Sequence, residues 1–168
     1  MLSAIAPCSS DVVAQHLDSI CRNMNGSWAL DKSRSESLAP FLKFVGAPWA
    51  MQQLVDSITP TRTFDISSSG MIDTQVTTGM MGSTQHQEWS WVEAPITMAT
   101  GGKFPGFVTF DPEGRLVSKI SHTKGLIITV FEPVVREGSV LTLVLRMICF
   151  DGSGNEAVAI RRVLTRPA

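Results

Sequence analysis

The stretch Gly26-Ser27-Trp28-Ala29-Leu30, with the polar run after it and then Phe41-Leu42-Lys43-Phe44-Val45-Gly46, decides how this chain folds. Gly26 and Trp28 open a short strand in which Trp28 and Leu30 share a face, because side chains alternate along a strand. Asp31 to Ser37 is polar and turn-like. Leu38 to Val45 then reads as a short helix with Gly46 as its stop. Pro48 suits the first turn of a second helix that contains Trp49, Gln52, Gln53, Leu54, Val55 and Ile58. Thr59-Pro60 ends that pair, since the residue before a proline avoids the α region.

From Thr61 onward the pattern is strands cut by turn signals. These are Ser67-Ser-Ser-Gly70, Gly79-Met80-Met81-Gly82, Pro95, Gly101-Gly102, Asp111-Pro-Glu-Gly114, Lys124-Gly125, Glu137-Gly138 and Asp151-Gly-Ser-Gly154. They divide the chain into about ten strands at the spacing of an all-β barrel. The expected fold is therefore all-β: a ten-stranded antiparallel barrel with a two-helix lid.

Residues 1–25 read as a helical extension ahead of a barrel over 26–168. Ser9 or Ser10 can cap a helix that starts at Asp11, whose acidic side chain suits the helix dipole. Val12, Val13, His16, Leu17, Ile20 and Met24 then form one apolar face, and Asn25-Gly26 stops the helix. That face needs a partner. The segment 140–150 offers one, because it is apolar on both sides: Val140, Thr142, Val144 and Ile148 with Arg146 on one, and Leu141, Leu143, Leu145 and Met147 on the other. A strand facing water should alternate with polar residues. The expectation is that the N-terminal helix covers the outer side of this strand.

Composition narrows the function classes. With 168 residues the chain is one domain's length, and a formal charge of −1 implies no polyanionic partner. Arg161, Arg162 and Arg166 form a basic end without an aromatic stacking platform, which argues against nucleic acid. Cys8, Cys21 and Cys149 are odd in number and unpatterned, as expected of reduced thiols in a cytoplasmic protein. No apolar run approaches the roughly 20 residues of a membrane span, and Met1-Leu-Ser-Ala-Ile-Ala lacks the basic start of a signal peptide. His16, His86 and His122 are scattered, and no zinc-ligand spacing, nucleophile elbow or phosphate loop occurs. No metal, cofactor or catalytic residue is expected.

Between Asn25 and Arg166 the chain resembles the intracellular lipid-binding proteins, the fatty-acid-binding and retinoid-binding family of the calycin superfamily. Lys43-Phe-Val-Gly-Ala-Pro-Trp-Ala-Met-Gln-Gln-Leu-Val-Asp-Ser-Ile-Thr-Pro60 is similar to that family's second-helix region. Met98 to Val117 is similar to its run of Asp-Gly turns, and Glu156-Ala-Val-Ala-Ile-Arg161 to its closing strand, which ends in Arg-x-Tyr. Gly26-x-Trp28-x-Leu30 also matches, though lipocalins share it. The resemblance implies a β-clam in which two helices lid a cavity for one hydrophobic ligand, bound without catalysis and transported.

The same resemblance supplies candidate site residues. It puts Arg161 at the carboxylate-binding arginine and Val163 at the tyrosine, in a protein that has no tyrosine. The second arginine of the family falls at or near Glu132, with Arg146 also turned inward. Three arrangements stay open: Arg161 anchors a fatty-acid carboxylate; Arg161 or Arg146 pairs with Glu132 inside the barrel; or the strand has the opposite parity, with Arg162 inward, since a one-residue slip flips every side chain. Phe41 and Trp49 sit at the family's portal, where they contact lipid or pack the lid onto the rim, and transient membrane contact would run through that lid. Trp89 and Trp91 share a strand face and either line a cavity or fill a core. Two further functions stay in view: a lipocalin-like enzyme acting on a lipid or pigment through Glu132 or His86, and a barrel that has lost its ligand and serves as a partner-binding or oligomer-forming module.

Overall fold

A computed structural model describes residues 2–78 and 82–168. The turn expected at Gly79-Met80-Met81 and the residue Met1 lie outside that set. Among the described residues three α-helices precede or interrupt the strands: α1 (Ser10–Met24), α2 (Ala39–Phe44) and α3 (Trp49–Leu54). Eleven strands follow in order: β1 (Gly26–Leu30), β2 (Thr61–Ser67), β3 (Gly70–Thr77), β4 (Ser83–Ser90), β5 (Ala94–Thr97), β6 (Lys103–Phe110), β7 (Leu116–His122), β8 (Gly125–Phe131), β9 (Val135–Glu137), β10 (Val140–Asp151) and β11 (Glu156–Pro167).

All strands join one antiparallel sheet in the order β4-β3-β2-β1-β11-β10-β8-β7-β6-β5, with β9 paired to β10 alone. Among the described residues, β4 and β5 do not pair with each other, so the sheet is unclosed. The strand number differs from the expected ten because β8 and β9 lie one after the other along the same edge of β10. Pro133 sits between them and has no N–H to give the ladder. The Glu132 N–H still donates to the Val144 carbonyl at 2.9 Å, so the line of pairing resumes beyond the break.

The inner face of the sheet is apolar. Trp28, Leu30, Phe64, Ile66, Met71, Val108, Phe110, Leu116, Leu143, Leu145 and Leu164 share one buried cluster. Tight turns bring its strands together. Gly70 has φ +141°, and a Cβ there would lie 1.9 Å from the Trp89 carbonyl oxygen, so only glycine fits.

Helix α1 packs elsewhere than expected. Ser9 caps it, accepting from the Val12 N–H. Its apolar face, with Val13 and Met24 buried, joins the inner cluster and meets β2 and β6 rather than the outer side of β10. Polar contacts explain the choice. The Asn25 amide accepts from the Ile66 N–H at 2.8 Å and donates to the Ile66 carbonyl at 3.0 Å. The Arg166 guanidinium lies 4.2 Å from the Trp28 ring centroid and donates to the Asn23 and Asn25 carbonyls at 2.8 and 2.5 Å. It thus satisfies carbonyls that a helix end leaves free.

The first residues cover a different outer apolar patch, on β7 and β8. Leu2 and Ile5 pack on Val117, Ile128 and Val130, each fully buried. The Lys119 ammonium donates to the Ser3 and Ile5 carbonyls at 3.0 and 2.9 Å, and the Thr109 hydroxyl donates to the Ala6 carbonyl at 3.2 Å. No described helix is long and apolar enough to cross a membrane.

Candidate ligand-binding site

The parity of β11 is set by Ile160 and Leu164, which are buried and pair with Met147 and Leu143 of β10. Arg162 lies between them on the same face, opposite Leu145. Arg161 lies on the other face, opposite Arg146, and both are exposed. The inward arginine is therefore Arg162 and not Arg161. The correction is the one-residue slip: fixing Leu164 inside fixes every second residue with it. Val163 falls on the outer face too. It is buried by the segment that leaves β1, whose Asp31 N–H donates to the Val163 carbonyl at 2.9 Å, while the Val163 N–H donates to the Ser35 hydroxyl at 2.9 Å.

Glu132 and Arg146 do pair, at 2.8 Å, but on the outer face, and Arg115 joins them at 3.5 Å. Neither contributes to the interior. The charged pair inside the sheet is another one. Arg62 of β2 and Asp73 of β3 form an ion pair, with Asp73 3% exposed. The Arg62 guanidinium also lies 5.1 Å from the Phe64 ring centroid. Sequence reasoning missed this pair, although Arg62 shares parity with Phe64 and Ile66, and Asp73 with Met71.

The aromatic candidates separate. Trp89 is buried in the main core across from Met71, and its indole N–H has no partner among the described residues. Trp91 lies just beyond β4, donates to the Ser67 carbonyl at 3.1 Å and stacks on Phe110 at 5.3 Å. Both pack in the core. Phe41 is half-buried against that core from α2, whereas Trp49 is 73% exposed on α3, a helix that buries none of its residues. His86 is exposed and shares a hydrogen bond with the Thr74 hydroxyl.

A concavity of about 210 Å³ opens above Arg162, lined by Leu30, Lys32, Ser35, Glu36, Ser37, Asp56, Ile58 and Arg162 itself. The Arg162 guanidinium donates to the Glu36 carbonyl at 2.6 Å and has no carboxylate at ion-pair distance among the described residues. Burial pushes this guanidinium below its ordinary value; the Asp56 charge opposes that and the Arg62 charge adds to it. The rim is tied together by Asp56, which accepts from the Ser37 hydroxyl and from the Leu38 N–H at 3.3 Å. A second concavity of about 370 Å³ lies beside β3 and β4, with Asp65, Ile72, Glu88 and Pro95 in its wall. Among the described residues, no three His, Cys, Asp or Glu side chains group to hold a metal.

No protein-family model matches the sequence, and comparison with curated proteins finds none similar. Solved structures do match. A Schistosoma mansoni fatty acid binding protein in complex with arachidonic acid is 19% identical, with 87% of this chain and 97% of that one covered at a TM-score of 0.61. The fatty-acid-binding protein isolated from Manduca sexta is 18% identical over 86% of this chain and 99% of that one, at 0.57. Human cRBP IV is 15% identical over 86% and 97%, at 0.61. At such identities the likeness is one of fold, and this chain has the fold of the fatty-acid-binding and lipid-binding proteins.

Proposed function

We propose that the chain binds a hydrophobic ligand, a fatty acid or a similar single-chain lipid, and carries it in its interior without catalysing a reaction. One observation carries this: Arg162 points inward, half-buried, with a backbone carbonyl as its hydrogen-bond partner. A half-buried arginine with no carboxylate in direct contact is partly desolvated and has donors to spare. A ligand carboxylate or phosphate engages them with two parallel charge-assisted bonds. The frame is a ten-stranded β-clam in which β8 and β9 act as one broken strand. Residues 1–25 extend a barrel over 26–168, and α2 and α3 are its lid. A concavity of about 210 Å³ holds a headgroup rather than a long chain, so loading requires the lid to move aside. Trp49, exposed on α3, would then meet a donor membrane. The cytoplasm is the proposed site of action.

A lipocalin-like enzyme would need an interior acid or base. Glu132 is paired outside, His86 is exposed, and the interior Asp73 is held by Arg62, so the carrier is favoured. Calorimetric titration with oleate tests the carrier. Arg162→Gln should weaken binding about 10- to 100-fold, the worth of a charge-assisted contact, while Arg161→Gln changes it less than about 2-fold. Equal effects of the two substitutions, or no oleate binding by the unaltered chain, would overturn the assignment.

A further inference from the structure

Helices of opposite character close the two ends of the interior. At one end, α2 and α3 follow β1. α3 buries none of its residues, and α2 presses Phe41 and Phe44 only part-way into the inner cluster. At the other end, α1 precedes β1 and meets both β2 and β6, with β1, β11, β10, β8 and β7 between those two in the sheet. It therefore crosses from one half of the sheet to the other. Val13 and Met24, 6% and 1% exposed, belong to the same apolar cluster as Phe64, Phe110 and Phe131.

The α1 end is fastened. The Asn25 amide donates to and accepts from Ile66, the Cys21 thiol donates to the Ile66 carbonyl at 3.0 Å, and the Trp28 indole N–H donates to the Met24 carbonyl at 2.8 Å. Arg166 adds its bonds to the Asn23 and Asn25 carbonyls. The His16 ring lies 4.9 Å from the Phe110 ring, and a Cβ on Gly114 would come 3.0 Å from it, so the helix also sits tight against the turn between β6 and β7. A guest pushing past α1 has to break these bonds together. The lid end has only the exposed bonds of Asp56 to Ser37 and Leu38 across its base. The interior thus opens at the lid and is blocked at α1.

We propose that α1 is the floor of the ligand site and limits the cargo to single-chain lipids of medium tail length, with Met24 and Val13 setting the limit. This rests on the carrier function above. Two tracks lead inward from Arg162, and both end on α1. Along β11, Leu164 and Arg166 follow on the same face, and the Arg166 guanidinium covers Trp28, whose indole is tied to Met24. Across the strands, Leu145, Phe131, Leu116 and Phe110 stand side by side on β10, β8, β7 and β6, and Phe110 meets His16. The first track, from Arg162 to Arg166, is about 14 Å long at the rise of an antiparallel strand, which is the reach of an extended laurate tail. When the lid lifts, the tail takes the place of Phe41 and Phe44, and each methylene adds affinity until the tail meets α1. A longer tail folds back on itself and gains little.

The full chain is titrated by calorimetry with octanoate, decanoate, laurate, myristate and palmitate, each below its micelle concentration. Affinity should rise about fourfold per methylene up to laurate, the worth of a buried CH2, and less than about 1.5-fold per methylene beyond it. Met24→Ala lowers the floor and should move the break to myristate. Val13→Ala, a smaller change, should move it in the same direction, while Asp18→Asn on the exposed side of α1 leaves it in place. A rise unbroken to palmitate, or a break that stays in place in both Met24→Ala and Val13→Ala, overturns the floor and leaves the carrier standing. Binding of none of the five overturns both. If Met24→Ala fails to fold, Val13→Ala and the series in the unaltered chain decide.

Discussion

At the scale of single residues, the interior is defined by two arginines treated in opposite ways. Arg62 has Asp73, and Arg162 has only the Glu36 carbonyl. Breaking the first pair by Asp73→Asn leaves a part-buried guanidinium uncompensated, which should cost about 1–3 kcal/mol in urea unfolding, whereas replacing both partners by Met and Leu should cost less than the single change. Cys149 offers a test of the core. Burial pushes its thiol up to about 12 from an ordinary 9.0. A raised value means that the folded chain holds the proton more tightly than the unfolded chain. The contribution to stability is complete below pH 9.0 and is lost as pH climbs toward about 12. Native Cys149 should resist an aromatic disulfide reagent at pH 8 on the order of a hundredfold better than the unfolded chain does, read as thiol release over time. Arg161 and Arg162 are where residue-level reading of the sequence stopped. Two adjacent arginines look alike in composition, and only the facing strand shows which one is inside.

At the scale of elements, the N-terminal residues do two jobs. Helix α1 enters the main cluster, while residues 2–6 lie on the opposite side of the sheet over Val117, Ile128 and Val130. The sequence revealed that a cover was needed and that α1 had an apolar face. It did not reveal that α1 packs inside instead, or that residues 2–6 cover β7 and β8, because an apolar face specifies burial but no address. The address comes from hydrogen bonds to Ile66, Asn23 and Asn25 that join residues far apart in the chain. Arg166→Ala should therefore lower stability by about 1–2 kcal/mol through lost capping and ring contact, seen as a fall in thermal midpoint. Removing residues 1–6 should expose the outer patch and raise the fluorescence of an apolar dye while leaving the far-ultraviolet dichroism of the sheet in place.

At the scale of the whole molecule, the sheet is strongest where β10 is flanked and weakest at its open edges. β10 pairs with β11 along nearly its full length and with β8 and β9 on its other side, whereas among the described residues β4 pairs with β3 alone. Amide exchange should accordingly be slowest in β10 and at least about tenfold faster in β4 and in α3, which buries nothing. Equal protection across these elements would argue against a sheet open at β4. The sequence by itself determined the run of strands, the short helices after Leu30, the turn glycines and the capped N-terminal helix. Each of these is local, fixed by side-chain period, by proline and by the few residues that a turn admits. The tertiary structure alone decided which face of each strand is inside, which segment covers which patch and where β8 breaks from β9. Those depend on pairing between separate strands, from neighbours such as Ile160 with Met147 to partners more than a hundred positions apart such as Leu30 with Leu164, and one residue of register there would move Arg162 from the interior to water.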